Sequence, residues 1–256
     1  MASTDETSND RQTMAYDSEV APGVYRFGTN RVNWYVIEAD GELLVVDAGL
    51  PNHWEQLVDG LDSLGYSLED IAALILTHGH GDHIGFANRL QKTANVPVRV
   101  HSADVALVEG DSEENMREVV WNLWRPAVIG LLLEFSRSGG NPSPVETVES
   151  FEAGTDLELP ATPQVIHVPG HSAGSCVLYL SDRNVLFCGD ALATVDLKTG
   201  RARGPQIMPM FTENTKQAVE SLDQLGSLGE VTLLPGHGDP WRGEMHEAIR
   251  LARSRK

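Results

Sequence analysis

Seven side chains of the kinds that hold metal ions fall in four short segments of the chain: His78, His80, Asp82 and His83, then His171, Asp190 and His237. Five imidazoles and two carboxylates exceed the needs of one cation and suit two. With no thiolate among them, zinc is the first expectation, and iron or manganese also fits such N/O donors. Two cations sharing a water lower its pKa from about 15.7 toward about 7, so hydroxide becomes available at neutral pH without a separate base. Thioesters, lactones and activated esters release their leaving groups with little protonation and are the substrates this chemistry serves. An amide nitrogen needs a positioned acid, and the sequence identifies none.

The donors need elements that bring them together. Each group follows an apolar run of strand type: residues 72–76 before His78, 165–168 before His171, 185–188 before Asp190 and 231–234 before His237. A glycine stands directly before His171, Asp190 and His237, and Gly79 and Gly81 interleave the first cluster, letting the backbone turn tightly enough for the donors to converge. The pattern predicts strands over 23–28, 32–38, 42–47, 72–77, 97–101, 164–168, 175–181, 184–188 and 231–235. It predicts helices over 53–64, 83–92, 213–226 and 241–254. Antiparallel strands followed by alternating strands and helices give an α+β fold, a mixed pair of sheets covered by helices.

Residues 102–154 interrupt that order with a helical insertion. An acidic opening at 109–118 leads into apolar residues at helical spacing, broken by Pro126, so two helices parting near the proline are expected. The insertion either packs on the sandwich or forms a lid or homodimer surface carrying Trp121 and Trp124. Met208 and Met210 belong either to the facing wall of the pocket or to the core.

Taken together, the segments resemble the metallo-β-lactamase superfamily. The resemblance rests on H-x-H-x-D-H at 78–83, Pro-Gly-His-Ser at 169–172, Gly189-Asp190, Pro-Gly-His-Gly at 235–238 and Val46-Asp47-Ala48-Gly49, in family order and spanning residues 24–241. It implies a four-layer αββα sandwich with the metals at the mouth where the sheets' loops meet. It also implies that His78, His80 and His171 hold one metal, that Asp82, His83 and His237 hold the other, and that Asp190 bridges them. Asp82 is the implied catalytic carboxylate, orienting the nucleophile or passing on its proton, and Asp47 accepts a ring N–H or a turn amide and fixes the ligand geometry.

Within the superfamily the nearest group is glyoxalase II-like. A glutathione thioester is not expected, because only residues 238–256 follow His237 where those enzymes carry a further basic helical region. Quorum-signal lactonases place a tyrosine soon after the bridging aspartate, and here Ala191, Leu192, Ala193 and Thr194 follow. The expected function is hydrolysis of a small thioester, ester or lactone. A phosphodiester hydrolase and a non-catalytic metal-binding scaffold are the alternatives.

Composition bounds the rest. The chain has 256 residues, 41% of them apolar, enough for one domain over 19–256 behind a disordered acidic tail at 1–18. No run reaches the roughly 18 apolar residues of a membrane span, and the N-terminus has no apolar export segment, so a cytoplasmic protein is expected. The formal charge of −18, with four lysines against fifteen arginines, points to a halophilic setting and away from nucleic acid, for which no basic stripe exists. Cys176 and Cys188 are too few for a disulfide framework. Alternation places Cys188 on the same face as Asp190, where a buried filler is the expected role. His53, His101, His167 and His246 are given no function.

Overall fold

A computed structural model of the protein describes residues 17–29, 31–112, 117–155 and 157–254. The tail expected at 1–18 lies outside the described residues up to 16, and Asp17 and Ser18 already belong to a strand.

The first sheet has seven strands in sequence order: β1 (Asp17–Ala21), β2 (Val24–Gly28), β3 (Asn33–Ala39), β4 (Glu42–Val46), β5 (Ile71–Ile75), β6 (Val98–His101) and β7 (Glu149–Phe151). Pairing is antiparallel through β4 and parallel beyond it. The parallel half needs crossovers, supplied by α1 (His53–Leu64) and α2 (Ala87–Ala94). The second sheet contains β8 (Gln164–His167), β9 (Cys176–Leu180), β10 (Val185–Gly189), β13 (Glu230–Pro235) and β14 (Trp241–Glu244), in the order β14-β13-β10-β9-β8. Between β10 and β13 lie a hairpin, β11 (Ala193–Asp196) and β12 (Arg201–Gln206), and then α6 (Thr215–Ser221); α7 (Met245–Ser254) closes the fold.

The period of two along each strand sorts the side chains into layers. Trp34 and Val36 face outward with Leu57 and Leu61 of α1 and Leu90 of α2. Their neighbours Tyr35 and Ile37 face inward, toward Leu178, Phe187 and Leu234 of the second sheet, and Tyr35 meets Phe187 edge to face at 5.3 Å. On the far side Leu186 and Leu233 pack under Ala218 of α6 and Ala248 and Ile249 of α7. The result is the αββα sandwich. Each such side chain taken fully out of water contributes about 2 kcal/mol, so the two sheets are locked face to face by their own alternation.

Several boundaries depart from the sequence reading. The helix expected over 83–92 starts at Ala87, because Gly85 and Phe86 spend their N–H groups on the carbonyls of Gly49 and Ala48. Residues 241–254 divide into β14, which pairs with β13, and α7. The helix expected over 213–226 is α6 followed by a 3-10 turn at Leu222–Leu225. Strands β7, β11 and β12 lie outside the expected set: three residues with one apolar side chain, and a polar Arg-Ala-Arg-Gly-Pro-Gln strand, carry no periodic signal.

In the insertion, α3 (Val105–Val108) is followed by α4 (Arg117–Trp121) and α5 (Pro126–Arg137). Pro126 occupies the first position of α5, where a missing N–H costs nothing, so it opens a helix and does not kink one. Val119, Val128 and Leu131 pack against Val195, Met208 and Met210, which gives both methionines a core role. Trp121 and Trp124 remain more than 70% exposed. Among the described residues no helix is long and apolar enough to cross a membrane.

Candidate metal centre

The seven donors stand where strands of both sheets end. His78, His80, Asp82 and His83 lie on the loop after β5, His171 follows β8, Asp190 follows β10 and His237 follows β13. One ligand atom from each of His78, His80 and His171 lies within 4.8 Å of the others, and the same holds for Asp82, His83 and His237. His78, His83 and Asp190 form a third such group that overlaps both. Asp190 stands between them: Oδ2 is 3.3 Å from His171 Nε2 and 3.1 Å from His237 Nε2, and Oδ1 is 3.3 Å from His83 Nε2. His80 Nδ1 and His171 Nε2 are 2.9 Å apart. All seven are buried except Asp82, whose side chain is 22% exposed.

Four of the buried polar atoms without a hydrogen-bond partner gather here: His78 Nε2, His80 Nε2, His83 Nε2 and Asp190 Oδ1. A buried polar atom left unsatisfied costs about 1–3 kcal/mol, and four gathered in one cluster of imidazoles and carboxylates make a donor set that fits cations. Imidazole and carboxylate without thiolate match zinc and also iron or manganese.

Outer contacts hold the rings. Thr212 Oγ1 donates to the Met208 carbonyl, so at 3.0 Å it accepts from His171 Nδ1, leaving His171 Nε2 as the lone pair facing inward. His237 Nδ1 donates to the Arg31 carbonyl in the same manner. His83 Nδ1 lies 2.9 Å from Asp47 Oδ2, and Asp47 also accepts from the Thr77 amide at 2.7 Å and the Thr77 hydroxyl at 2.9 Å. Asp47 reaches this position with φ of +60°, a left-handed backbone that aspartate tolerates better than most residues. Three tautomers are thereby set with Nδ1 protonated and Nε2 aimed into the site.

Electrostatics separates the two groups. Burial pushes the His78 and His171 rings well below the ordinary histidine range, keeping them neutral and able to donate a lone pair. Burial acts on His83 and His237 in the same sense but is outweighed by carboxylates: Asp47, Asp190 and Asp82 raise His83 well above the usual value, and Asp190 brings His237 to about 9. Asp190 stays ionised, because His237, His83 and His171 overcome the burial that would raise it.

Sequence reasoning missed Asp104. This carboxylate is fully buried; Oδ2 accepts from the Gly79 amide at 3.0 Å and the Ser172 hydroxyl at 2.6 Å, and Oδ1 from the Gly174 amide at 2.6 Å. It ties the loop bearing His78 and His80 to the loop bearing His171. Its one sequence signal is its place just past the end of β6, the same edge of the sheet as the donors.

The remaining candidates have structural surroundings. His53 is buried with Nδ1 accepting from the Leu50 amide at 3.1 Å. His101 and His167 stack with centroids 4.2 Å apart, and His167 Nε2 donates to the Ala173 carbonyl in the turn that carries His171. His246 is exposed. Cys188 does not share a face with Asp190: Gly189 takes φ of +46°, the pairing with β13 shifts there, and the thiol points to the Leu192 carbonyl inside the apolar layer under α6 and α7. Burial raises its pKa well above the ordinary thiol value, so it is a filler and not a donor.

Comparison with known proteins agrees with this geometry. The sequence profile of the metallo-beta-lactamase superfamily matches residues 27–237. The chain therefore belongs to that superfamily, a class of metal-dependent hydrolases. It is 29% identical over 248 residues to the probable metallo-hydrolase YflN of Bacillus subtilis, covering 88% of each chain. The metallo-beta-lactamase family protein TTHA1429 from Thermus thermophilus superposes with a TM-score of 0.65 at 24% identity, over 90% of this chain and 77% of that one. TTHA1623, solved in a di-iron-bound form, superposes with a TM-score of 0.60 at 26% identity, over 89% of this chain and 96% of that one.

Proposed function

We propose that the protein is a binuclear hydrolase of a small thioester, ester or lactone. The observation that carries this reading is the meeting of two three-donor groups around the Asp190 carboxylate. His78, His80 and His171 would hold one cation, Asp82, His83 and His237 the other, with Asp190 reaching both. Bound there, two cations supply Lewis acidity toward an attacked oxygen and a water of lowered pKa. Zinc is the first choice; the di-iron form of TTHA1623 keeps iron in view, and manganese suits the same donors.

The chain's own groups do the rest. Asp82 is the one half-open donor, its Oδ2 3.3 Å from His237 Nε2, placed to orient an attacking water or to accept its proton. The buried imidazoles are held by Asp47, Thr212 and the Arg31 carbonyl, so little reorganisation is needed as charge develops. Thiolates, enolates and ring-opened alkoxides depend less on a positioned acid than an amine leaving group does, which favours them over amides. Two buried free cysteines suit a reducing, cytoplasmic setting, and the charge of −18 suits high salt and a small substrate in place of a polyanion.

The test is metal analysis of the purified protein followed by a panel of acyl and phosphodiester substrates in molar salt. Two cations per chain and faster acyl than phosphodiester turnover are expected. Hydrolysis of bis-p-nitrophenyl phosphate far ahead of every acyl substrate overturns the assignment. His80→Ala should abolish turnover and lower bound metal while leaving the far-UV circular dichroism near that of the parent. Full activity in that variant would falsify the site.

A further inference from the structure

We propose that a cavity of about 230 Å³ beside His237 is the subsite for an aliphatic arm of the substrate. The proposal rests on the acyl-hydrolase reading and deepens it. Arg31, Ala127, Leu131, Val195, Leu197 and Gly200 line the cavity. Its walls thus come from the loop before β3, from α5 of the insertion, and from the β11–β12 hairpin.

Two bonds tie the walls of this cavity to His237. The Arg31 carbonyl accepts from His237 Nδ1, and the amide of Thr194, the residue before Val195, donates to the His237 carbonyl at 3.0 Å. Two walls are therefore hydrogen-bonded directly to a donor residue of the site. In this proposal the acyl substituent of a substrate held at the donors lies past His237, against Leu131, Val195 and Leu197.

The lining selects the chemistry. Leu131, Val195 and Leu197 are buried apolar side chains that pack with Val128, Met208 and Met210, a wall that offers no hydrogen bond to a polar arm. The one charged group, the Arg31 guanidinium, is 3.2 Å from Glu134 of α5, whose other oxygen accepts from the Thr29 hydroxyl at 2.9 Å. Glu134 balances that charge, so the cavity presents no net call for a carboxylate or phosphate on the ligand. At about 230 Å³ it is smaller than the roughly 300–1,000 Å³ of pockets that enclose a whole ligand, so it takes one arm only. At about 30 Å³ for each water-sized group the cavity has room for roughly seven, enough for an arm on the order of six carbons.

Ala127 provides the handle. It is half-buried in the first turn of α5 and lines the cavity beside Gly200, its methyl 3.8 Å from where a Cβ on Gly200 would stand. Ala127→Phe fills the space from one wall, and Leu197→Ala widens it from another.

Metal-loaded protein is assayed with p-nitrophenyl acetate, butyrate, hexanoate and octanoate, and the binding of free hexanoate is measured by calorimetry. In the parent, kcat/KM should rise roughly two- to fourfold per added carbon, the worth of burying a methylene, up to a chain of about six. Ala127→Phe should lower the hexanoate-to-acetate ratio of kcat/KM at least tenfold and weaken hexanoate binding, while Leu197→Ala moves the optimum to octanoate. Acyl turnover with the same ratio in parent and Ala127→Phe overturns the subsite and leaves the acyl-hydrolase reading standing. No acyl turnover, with hexanoate binding that Ala127→Phe abolishes, keeps the subsite and overturns that reading.

Discussion

Asp104 shows how much of a donor set is held by residues that donate nothing to it. Removing its carboxylate strips the Gly79 and Gly174 amides and the Ser172 hydroxyl of their acceptor in a fully buried setting. Hydrogen bonds to a charged group contribute about 1.5–3 kcal/mol each and do not add fully, so Asp104→Ala is expected to cost about 3 kcal/mol in denaturant unfolding. It should also weaken metal binding on the order of 10- to 100-fold, as outer partners of metal sites do, read by competition with a chelator. His53 carries the pH prediction. Burial lowers it from 6.5 to about 4. The folded value lies below the unfolded one, so its contribution is complete above pH 6.5 and is lost as pH falls through 6.5 toward 4, by about 3 kcal/mol. His53→Gln should flatten that part of the stability curve; an unchanged slope between pH 6.5 and 4 means other groups produce it. The seven donors were legible because imidazole and carboxylate beside glycine after an apolar run is a pattern along the chain. Asp104, Thr212 and the Arg31 carbonyl were not, because their partners are 25, 41 and 206 residues away, and beyond the place of Asp104 just past β6 no local pattern marks them.

Elements were legible in proportion to their apolar content. The runs that became β5, β10 and β13 are near-continuous because they are buried on both faces, as parallel strands between two layers must be. The hairpin β11–β12 and the edge strand β7 have no such run, and the region taken for one helix after 241 hid a strand defined only by its partner β13. The turns at strand ends admit little change. At Gly236, between β13 and His237, an added Cβ would lie 2.5 Å from Asp190 Oδ1 and 2.5 Å from His83 Cε1. Its backbone is not in the left-handed region, so Gly236→Ala acts by steric displacement of two donors and not by strain. Bound metal should drop below two equivalents with the circular dichroism unchanged; a full complement of metal would mean the donors can yield.

At the scale of the molecule the alternating and helical patterns led to a mixed pair of sheets covered by helices and the family resemblance to their αββα order, whereas the seating of the insertion followed from neither, since its apolar face meets the hairpin that no pattern marks. The charge of −18 has its effect at this scale too. The exposed ion pairs, such as Arg99 with Glu149 at 2.9 Å and Arg253 with Asp223 at 2.7 Å, are worth about 0–1 kcal/mol each and are screened by salt. Repulsion among the unbalanced acids is screened as well, over about 3 Å at molar ionic strength. Because acids outnumber bases, relief of repulsion should win: the thermal midpoint is expected to climb between 0.1 and 2 M KCl, and a flat or falling curve removes the high-salt reading.

The loop bearing His237 is bolted to the first sheet by β3. The Asn33 amide and side chain reach the carbonyls of Gly236, Pro235 and Gly238 at 2.7–2.8 Å, and the Tyr35 hydroxyl reaches Pro235 at 2.7 Å. These partners are about 200 residues apart in the chain. Closing so long a loop is slow and comes only after most of the polypeptide has left the ribosome. The cation pocket is consequently a late product of folding, and a nascent chain passes most of its synthesis unable to capture the ions on which its chemistry depends.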